Sequence, residues 1–299
     1  FLKVKNSKNE ASYGLGSLSG TISPSLSYYT AYSFYLDGDF ENYEASNTYA
    51  LYGSLNYAKG KFGGSFEVKD YSNFLIGTGI NEPPALVKEH TSKLLNRSTH
   101  VLIPQNERGI QIEAYYQPSL FNTFTINYTL ADNSFEEQTF KYREVFFEAT
   151  TSVGKGTDLK FFIDYAEDPF KGEDDRISAG AFIEQSFNND KYGAKLESEW
   201  QQFERDDSNV QNIANTLTFR KASKIYVSII SEVSTDPFLV SDSKSKKSWF
   251  GGSLKYQLNN KHSFQLFGGE RRGGPACNAG VCYEVLDFKG VELRWNARF

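Results

Sequence analysis

The histidines and cysteines of this chain have the widest range of possible chemistry, and there are only five of them. They are His90, His100, His262, Cys277 and Cys282. A hydrolase needs a nucleophile, a base and an orienting acid at a recognisable spacing, and no such motif surrounds any of these histidines. We therefore predict no catalytic residues and no enzymatic activity.

The same residues form no metal-binding motif. Zinc sites need three or four grouped ligands, and no histidine lies near the two cysteines in the sequence. The acidic stretches 37–44 and 173–175 offer carboxylate oxygens, but neither has the full pattern of a calcium-binding loop. We predict no metal and no cofactor, and we interpret both stretches as solvated loops.

The two cysteines lie close together in a glycine-rich segment. Cys277 and Cys282 flank Asn278-Ala279-Gly280, near the end of the chain. In an oxidising compartment a disulfide is the default for such a pair. Closing so short a loop contributes little stability, so the predicted bond mainly makes the tip of the loop rigid.

The composition excludes several classes of protein. Hydrophobic residues are 39% of the 299 positions and aromatic residues are 16%. So many aromatic residues exclude a disordered chain, and the absence of any apolar run of about 20 residues excludes a helical membrane protein. The net charge of −5 argues against nucleic acid as a partner. A large antiparallel sheet with one apolar and one polar face fits the remaining possibilities.

Apolar and polar residues alternate with period 2 through almost the whole sequence. Phe161 and Ile163, for example, oppose Lys160 and Asp164. From Ser25 onward we predict about 14 strands of roughly 10–14 residues, longer than the usual strands of soluble proteins. Two weaker candidates come earlier, near 1–6 and 13–22.

The connections between these strands are alternately short and long, and the predicted longer ones include 132–138 and 167–175. Outer-membrane barrels have short periplasmic turns and longer outside loops. We therefore predict an all-β fold: an antiparallel transmembrane β-barrel of about 14–16 long strands. The 299 residues form a single domain, either a whole barrel or the C-terminal part of a larger one. A soluble all-β sandwich is the alternative fold.

Charged residues of both signs lie on the polar face of the predicted strands. In a barrel this face lines a hydrated interior, because charges on the lipid face cost a few kcal/mol each near the midplane. The mixture predicts paired charges and indicates no preference for anions or cations. The predicted lumen-facing charges are Glu67, Lys69, Glu113, Glu148, Lys160, Asp164, Lys195, Glu197, Glu292 and Arg294.

Residues 75–106 interrupt the alternation. Two prolines followed by apolar residues predict a short amphipathic helix over 84–96. Such an insertion could enter the lumen and act as a gate or plug, with Leu86, His90 and Leu94 as the candidate residues. The alternative is a helix that packs on the barrel rim without gating.

The C-terminal strand has the pattern that outer-membrane assembly machinery reads. Trp295 and Phe299 stand in phase with Val291 and Leu293, and the chain ends in the aromatic residue. We therefore predict this machinery as a partner, together with outer-membrane lipid and lipopolysaccharide. Other outer-membrane proteins are further candidate partners.

Two stretches resemble a Bacteroidota outer-membrane β-barrel family of unknown function. They run from Pro83 to Tyr116 and from Glu270 to Phe299, and the Cys-x4-Cys segment followed by EVLDFKGVEL is the more specific part. The resemblance implies the C-terminal portion of a barrel in the outer membrane. It implies no activity and no catalytic residues.

The predicted location is the outer membrane of a Gram-negative bacterium. The first functional hypothesis is a porin-like channel for passive passage of small polar solutes. The alternative is a non-enzymatic structural or binding subunit of an outer-membrane complex, with a plugged barrel. A membrane-embedded hydrolase would need a histidine close to a serine or aspartate at the outer rim.

Overall fold

The structure is a computed structural model of the chain. It describes residues 2–5, 10–38, 47–74, 86, 88, 90–100, 106–135, 138–240, 245–278 and 281–298. For residues 2–5, 10, 135, 275–278 and 281–284 it describes the backbone alone.

Within these residues, sixteen antiparallel strands form one sheet in which each strand pairs with its neighbours in sequence order. Fourteen of them follow Ser25, as the alternation predicts, and β1 and β2 correspond to the two weaker candidates. The strands are β1 (Leu2–Lys5), β2 (Glu10–Ser23), β3 (Leu26–Gly38), β4 (Tyr49–Lys59), β5 (Phe62–Ser72), β6 (Glu107–Ser119), β7 (Asn122–Phe135), β8 (Gln138–Val153), β9 (Thr157–Asp168), β10 (Glu173–Phe187), β11 (Tyr192–Arg205), β12 (Ser208–Lys221), β13 (Ile225–Ser234), β14 (Lys247–Gln257), β15 (His262–Arg271) and β18 (Phe288–Ala297).

The two ends of the sheet differ in the length of their connections. At one end, here called the turn end, consecutive strands from β2 to β15 are joined by two to four residues. The opposite end, the loop end, has all the long connections: 39–48, 73–106, 235–246 and 272–287. Three further loop-end connections, 136–137, 169–172 and 206–207, are as short as the turns, so the predicted alternation is present only in part.

Two loops predicted at the loop end are mostly strand. β7 and β8 continue to Phe135 and from Gln138, β9 continues to Asp168, and β10 begins at Glu173. The stretch 173–175, predicted as a solvated loop, is therefore the start of a strand, and Glu173 is buried. Asn133 and Asp168 have the residue types of turns, but both are buried on the inner face of the sheet. Their polar groups are used in that face, so the strands run on through the positions where the sequence predicted loops.

The long connection before β18 contains a small hairpin that the sequence analysis did not predict. Its strands are β16 (Gly274–Asn278) and β17 (Val281–Val285), which form a separate two-stranded sheet. In the described part of the chain, the two edge strands of the main sheet, β1 and β18, pair with β2 and β15.

The two faces of the main sheet have opposite character. The outer face exposes large apolar side chains such as Ile163, which is 54% exposed, and Leu196. The inner face buries polar ones such as Asp164 and Gln201. This inside-out arrangement is that of a transmembrane β-barrel, in which apolar residues face lipid. Among the described residues, no helix has the length and apolar character needed to cross a membrane.

The only helix among the described residues is shorter than predicted. α1 spans Lys93–Arg97, at the end of the predicted 84–96 stretch. Residues 86, 88 and 90–92 lie before it in non-helical backbone, and Ser92 has an extended conformation. The side chains of Lys88, His90 and Thr91 are bonded to the sheet rather than arranged on one face of a helix.

Candidate functional site

The described residues between 86 and 100, here called the inner segment, lie on the inner face near the loop end. Lys88 forms an ion pair with Glu113 of β6. Further along, the Nζ of Lys93 donates to the hydroxyl of Thr216 on β12 over 3.3 Å. Side chains from β6 to β12 thus converge on one short segment, so the inner face is concave and the segment fills its loop-end half.

Arg176 of β10 is the centre of the contacts. Its side chain is 1% exposed and donates to Asp164 Oδ2 over 3.2 Å and to Glu144 Oε1 over 3.3 Å. The same guanidinium donates to Glu173 Oε2 and to the backbone carbonyl of Ser98, each over 3.0 Å. One buried cation therefore ties three wall carboxylates to the inner segment.

His90 is the second link between the inner segment and this cluster. Its Nε2 lies 2.9 Å from Glu144 Oε1, and both side chains are at most 2% exposed. The ring also packs against Phe146, with centroids 4.5 Å apart. His90, Glu144 and Asp164 each offer a ligand atom, and these atoms lie within 4.8 Å of one another.

His100 is held in a separate buried site. Its Nδ1 lies 2.9 Å from Asp168 Oδ2, and the side-chain nitrogen of Asn133 lies 2.8 Å from its Nε2. Since the amide donates to Nε2, the proton of a neutral ring is on Nδ1 and is donated to Asp168. The ring stacks on Tyr142 at 4.4 Å. This is a histidine close to an aspartate, but both nitrogens are engaged and both side chains are at most 1% exposed.

Helix α1 takes its N-terminal cap from the wall instead of from its own sequence. Ser92 makes no side-chain cap. The carboxylate of Glu199 on β11 accepts the backbone N–H groups of Lys93 and Leu94, over 2.9 and 2.7 Å. Free N–H groups at a helix start need such acceptors. Leu94 and Leu95 are buried below the cap.

At the other end of α1, two arginines share one carboxylate. Arg97 and Arg272 both donate to Glu232 Oε1 of β13, the latter over 3.1 Å. Arg272 also reaches Asn212 of β12 over 3.2 Å, although it follows β15 in the chain. This contact across three strand positions is a second sign that the sheet is concave.

The ten predicted lumen-facing charges all lie on the inner face. Lys69 is 1% exposed and pairs with Glu107 over 2.9 Å, and Asp164 pairs with Arg176. The other eight are partly exposed, and all of them are paired. Their partners are Tyr52 for Glu67, Lys88 for Glu113, Lys160 for Glu148, Lys195 for Glu197, and both Arg271 and Arg294 for Glu292.

The remaining predicted site residues are placed as follows. Leu86, His90 and Leu94 are all buried in the loop-end half. Cys277 and Cys282 stand opposite each other in the β16–β17 hairpin, but their side chains lie outside the described part, so the disulfide stays a prediction. Trp295 is exposed on the outer face of β18, and Phe299 lies outside the described residues.

Two cavities lie beside the inner segment. Towards the turn end, a cavity of about 510 Å³ is lined by Thr91 of the inner segment and by inner-face residues such as Thr150, Lys160 and Lys195. At the loop end, a cavity of about 460 Å³ lies above α1. Its wall includes Arg97, Lys171, Glu173, Arg205, Asp236, Phe238 and Arg272.

Several positively charged side chains line the loop-end cavity, and neighbouring groups hold them in place. The guanidinium of Arg205 lies between the rings of Phe203 and Phe238, 4.8 and 5.0 Å from their centroids. It also donates to Asp236 over 2.6 Å. Burial lowers the pKa of Lys171, which lies in the turn after β9, and that of Arg272, which lies between β15 and β16. Buried cations of this kind favour an anionic group beside them.

Several residues of the site were not singled out from the sequence. They are Glu144, Arg176, Glu199 and Glu232. Each lies at an inner-face position of a strand in which apolar and polar residues alternate, so the alternation predicts the face that it occupies. Their importance depends on the inner segment, which folds back onto strands more than 40 residues away. The alternation carries no signal for that contact.

The fold and the inner segment define the class as an inside-out antiparallel β-barrel protein with a filled loop-end half. The chain belongs to the DUF6029 family, a family of unknown function, whose model matches residues 25–299.

Two solved structures are similar to the chain at low identity. The open form of the ferric-catecholate import receptor Fiu from E. coli K12 is 9% identical, with a TM-score of 0.43, and the match covers 97% of this chain and 49% of that one. The chain thus spans about half the length of Fiu. The outer membrane channel DcaP of Acinetobacter baumannii is 12% identical, with a TM-score of 0.39 and coverage of 99% and 100%. No curated protein matches the chain.

Proposed function

We propose that the chain is an outer-membrane β-barrel that passes small polar solutes, and that the inner segment closes its passage in the conformation described. The apolar outer face supports a location in a membrane. The polar inner face supports a hydrated passage. Outer-membrane lipid, lipopolysaccharide and the barrel assembly machinery are the partners that this location requires, and the exposed Trp295 of β18 supports the last of them.

The observation that carries the proposal is the set of buried ionic contacts that fix the inner segment. Arg97 pairs with Glu232, His90 with Glu144, and the Ser98 carbonyl with Arg176. Removing one partner of a buried pair costs about 3–5 kcal/mol. Withdrawing the segment would break several such contacts at once, so the closed conformation dominates unless another event offsets the loss.

The test is single-channel conductance of the folded chain in a planar bilayer. We expect short or rare openings from the wild type. A variant with residues 88–100 replaced by a Gly/Ser sequence of equal length should give stable, larger steps, because the loop-end half then contains no packed segment. The control is the same kind of replacement at 39–46, within another loop-end connection, and it should conduct as the wild type does. Large steady steps from the wild type, or a silent 88–100 variant that is folded and inserted, would contradict the proposal.

A second candidate function is that of a plugged binding or structural subunit in an outer-membrane complex. The observation that favours it is the loop-end cavity, where Phe238 is 71% exposed beside Arg205 and Leu286 is 78% exposed. Exposed apolar groups beside constrained cations are typical of binding surfaces.

Native mass spectrometry of the protein extracted in mild detergent tests this alternative. A partner of defined stoichiometry that is lost in the Phe238→Ser variant would support it. Extraction as a single chain, together with opening of the 88–100 variant, would leave the channel as the function.

A further inference from the structure

The cluster around His90 has the composition of a metal site. His90 comes from the inner segment, Glu144 from β8 and Asp164 from β9, and the three side chains are all buried. One ligand atom from each lies within 4.8 Å of the others. Imidazole nitrogen with two carboxylate oxygens is a ligand set that suits Zn²⁺ and other divalent first-row transition metals.

An independent observation is that each of the three side chains has a buried atom with no hydrogen-bond partner among the described residues. These atoms are Nδ1 of His90, Oε2 of Glu144 and Oδ1 of Asp164. A buried polar atom without a partner costs about 1–3 kcal/mol. Three such atoms in one cluster indicate that a group which binds them is missing from the protein atoms alone.

The charges of the cluster point to the same conclusion. Three carboxylates, those of Glu144, Asp164 and Glu173, contact the single guanidinium of Arg176. Arg205 pairs with both Glu173 and Asp236, and the ammonium group of Lys171 donates to the backbone carbonyl of Arg97. With His90 neutral, as a metal ligand must be, these four carboxylates and three cations leave a surplus of one negative charge. A bound cation offsets that surplus.

Arg176 binds only one oxygen of each cluster carboxylate. It donates to Oε1 of Glu144 and Oδ2 of Asp164, so the second oxygen of each carboxylate remains available. Glu173 accepts from the same guanidinium over 3.0 Å and offsets its charge. The arginine thus orients the two carboxylates, in the way that hydrogen-bonded neighbours orient metal ligands elsewhere.

We propose that His90, Glu144 and Asp164 bind one divalent transition-metal ion, with Zn²⁺ as the representative, and that this ion fastens the inner segment to β8 and β9. Metal–ligand bonds of about 2.0–2.2 Å in a tetrahedral site place the ligand atoms roughly 3.4 Å apart. The candidate ligand atoms, which lie within 4.8 Å of one another, therefore need to approach by up to about 1.4 Å when the ion enters.

The proposal adds a metal to the closed barrel, and metal binding is measured without a bilayer. A failure of metal binding therefore leaves the conductance test unaffected, and a failure of the conductance test leaves this one unaffected. Among the described residues, the second buried histidine of the inner segment, His100, has both nitrogens engaged and lies outside the cluster, which makes it a matched control.

The experiment is titration of the full chain, folded in detergent and stripped with EDTA, with Zn²⁺ in a calorimeter and with Co²⁺ by its visible absorption. We expect one ion per chain. The His90→Gln variant should bind Zn²⁺ at least about 100-fold more weakly and lose the Co²⁺ absorption. The His100→Gln variant should keep both.

Asp164→Asn provides a second arm if His90→Gln does not fold. Its amide oxygen can still accept from Arg176, but it is a much weaker metal ligand, so folding should persist and Zn²⁺ binding should fall. The proposal is overturned if the wild type binds neither ion. In that case protons neutralise the cluster. It is also overturned if both folded variants bind as the wild type does, since the ion then sits elsewhere, such as in an acidic loop.

Discussion

The loop-end and turn-end halves of the inner face contain similar ion pairs in opposite surroundings. In the loop-end half, the side chains of Arg176 and Glu144 are 1% and 0% exposed. In the turn-end half, those of Lys160 and Glu148 are 25% and 28% exposed. The strands and the alternation are the same in both halves. The difference comes from the inner segment, which covers one half and leaves the other open to water.

The buried ion pairs of the loop-end half matter more for the stability of the fold than the exposed pairs of the turn-end half. Exposed ion pairs contribute about 0–1 kcal/mol, whereas breaking one partner of a buried pair costs several times more. The loop-end half is therefore the region that determines whether the barrel is closed, and the turn-end half behaves as a hydrated vestibule.

The largest effect is expected for Arg176→Met. The methionine keeps much of the volume but removes the buried donor that Glu144, Asp164 and Glu173 share. We expect the free energy of unfolding to fall by about 3–5 kcal/mol, measured by urea denaturation of the protein folded in lipid vesicles. A decrease of only about 0–1 kcal/mol, as for an exposed pair, would show that water reaches the ion pairs of the loop-end half.

A medium effect is expected for Glu199→Ala. The backbone N–H groups of Lys93 and Leu94 lose their acceptor, so α1 should fray and the free energy of unfolding should fall by about 1–2 kcal/mol. Glu199→Gln keeps one acceptor oxygen and should recover part of the loss. Equal losses in the two variants would mean that the carboxylate does not cap the helix.

The smallest effect is expected for Lys160→Gln in the turn-end half. Its ion pair with Glu148 is partly exposed, so the free energy of unfolding should change by less than about 1 kcal/mol. Raising the salt concentration should reduce even that difference, because exposed pairs are screened. A loss comparable with that of Arg176→Met would remove the distinction between the halves.

The sequence predicts the sheet well and the closed half poorly, for a physical reason. Alternation such as that of Phe161, Ile163 and Asp164 reports which face a side chain occupies, and this fixes the strands and the inner charges. It does not report which loop folds onto that face. His90 is 54 positions from Glu144 in the chain, and no local pattern joins them. For the same reason Asn133 and Asp168 were interpreted as loop residues, although they are the partners of His100.

The most direct test of the account compares two serines on the same face of the same strand. Ser178 and Ser186 both lie on the inner face of β10, but Ser178 is 0% exposed in the loop-end half and Ser186 is half-buried near the turn end. Each is changed to cysteine in a Cys277→Ser, Cys282→Ser background and treated with a water-soluble thiol reagent. The account predicts rapid labelling of Ser186→Cys and protection of Ser178→Cys, with protection lost when 88–100 is replaced. Equal labelling of the two cysteines in the intact barrel would contradict it.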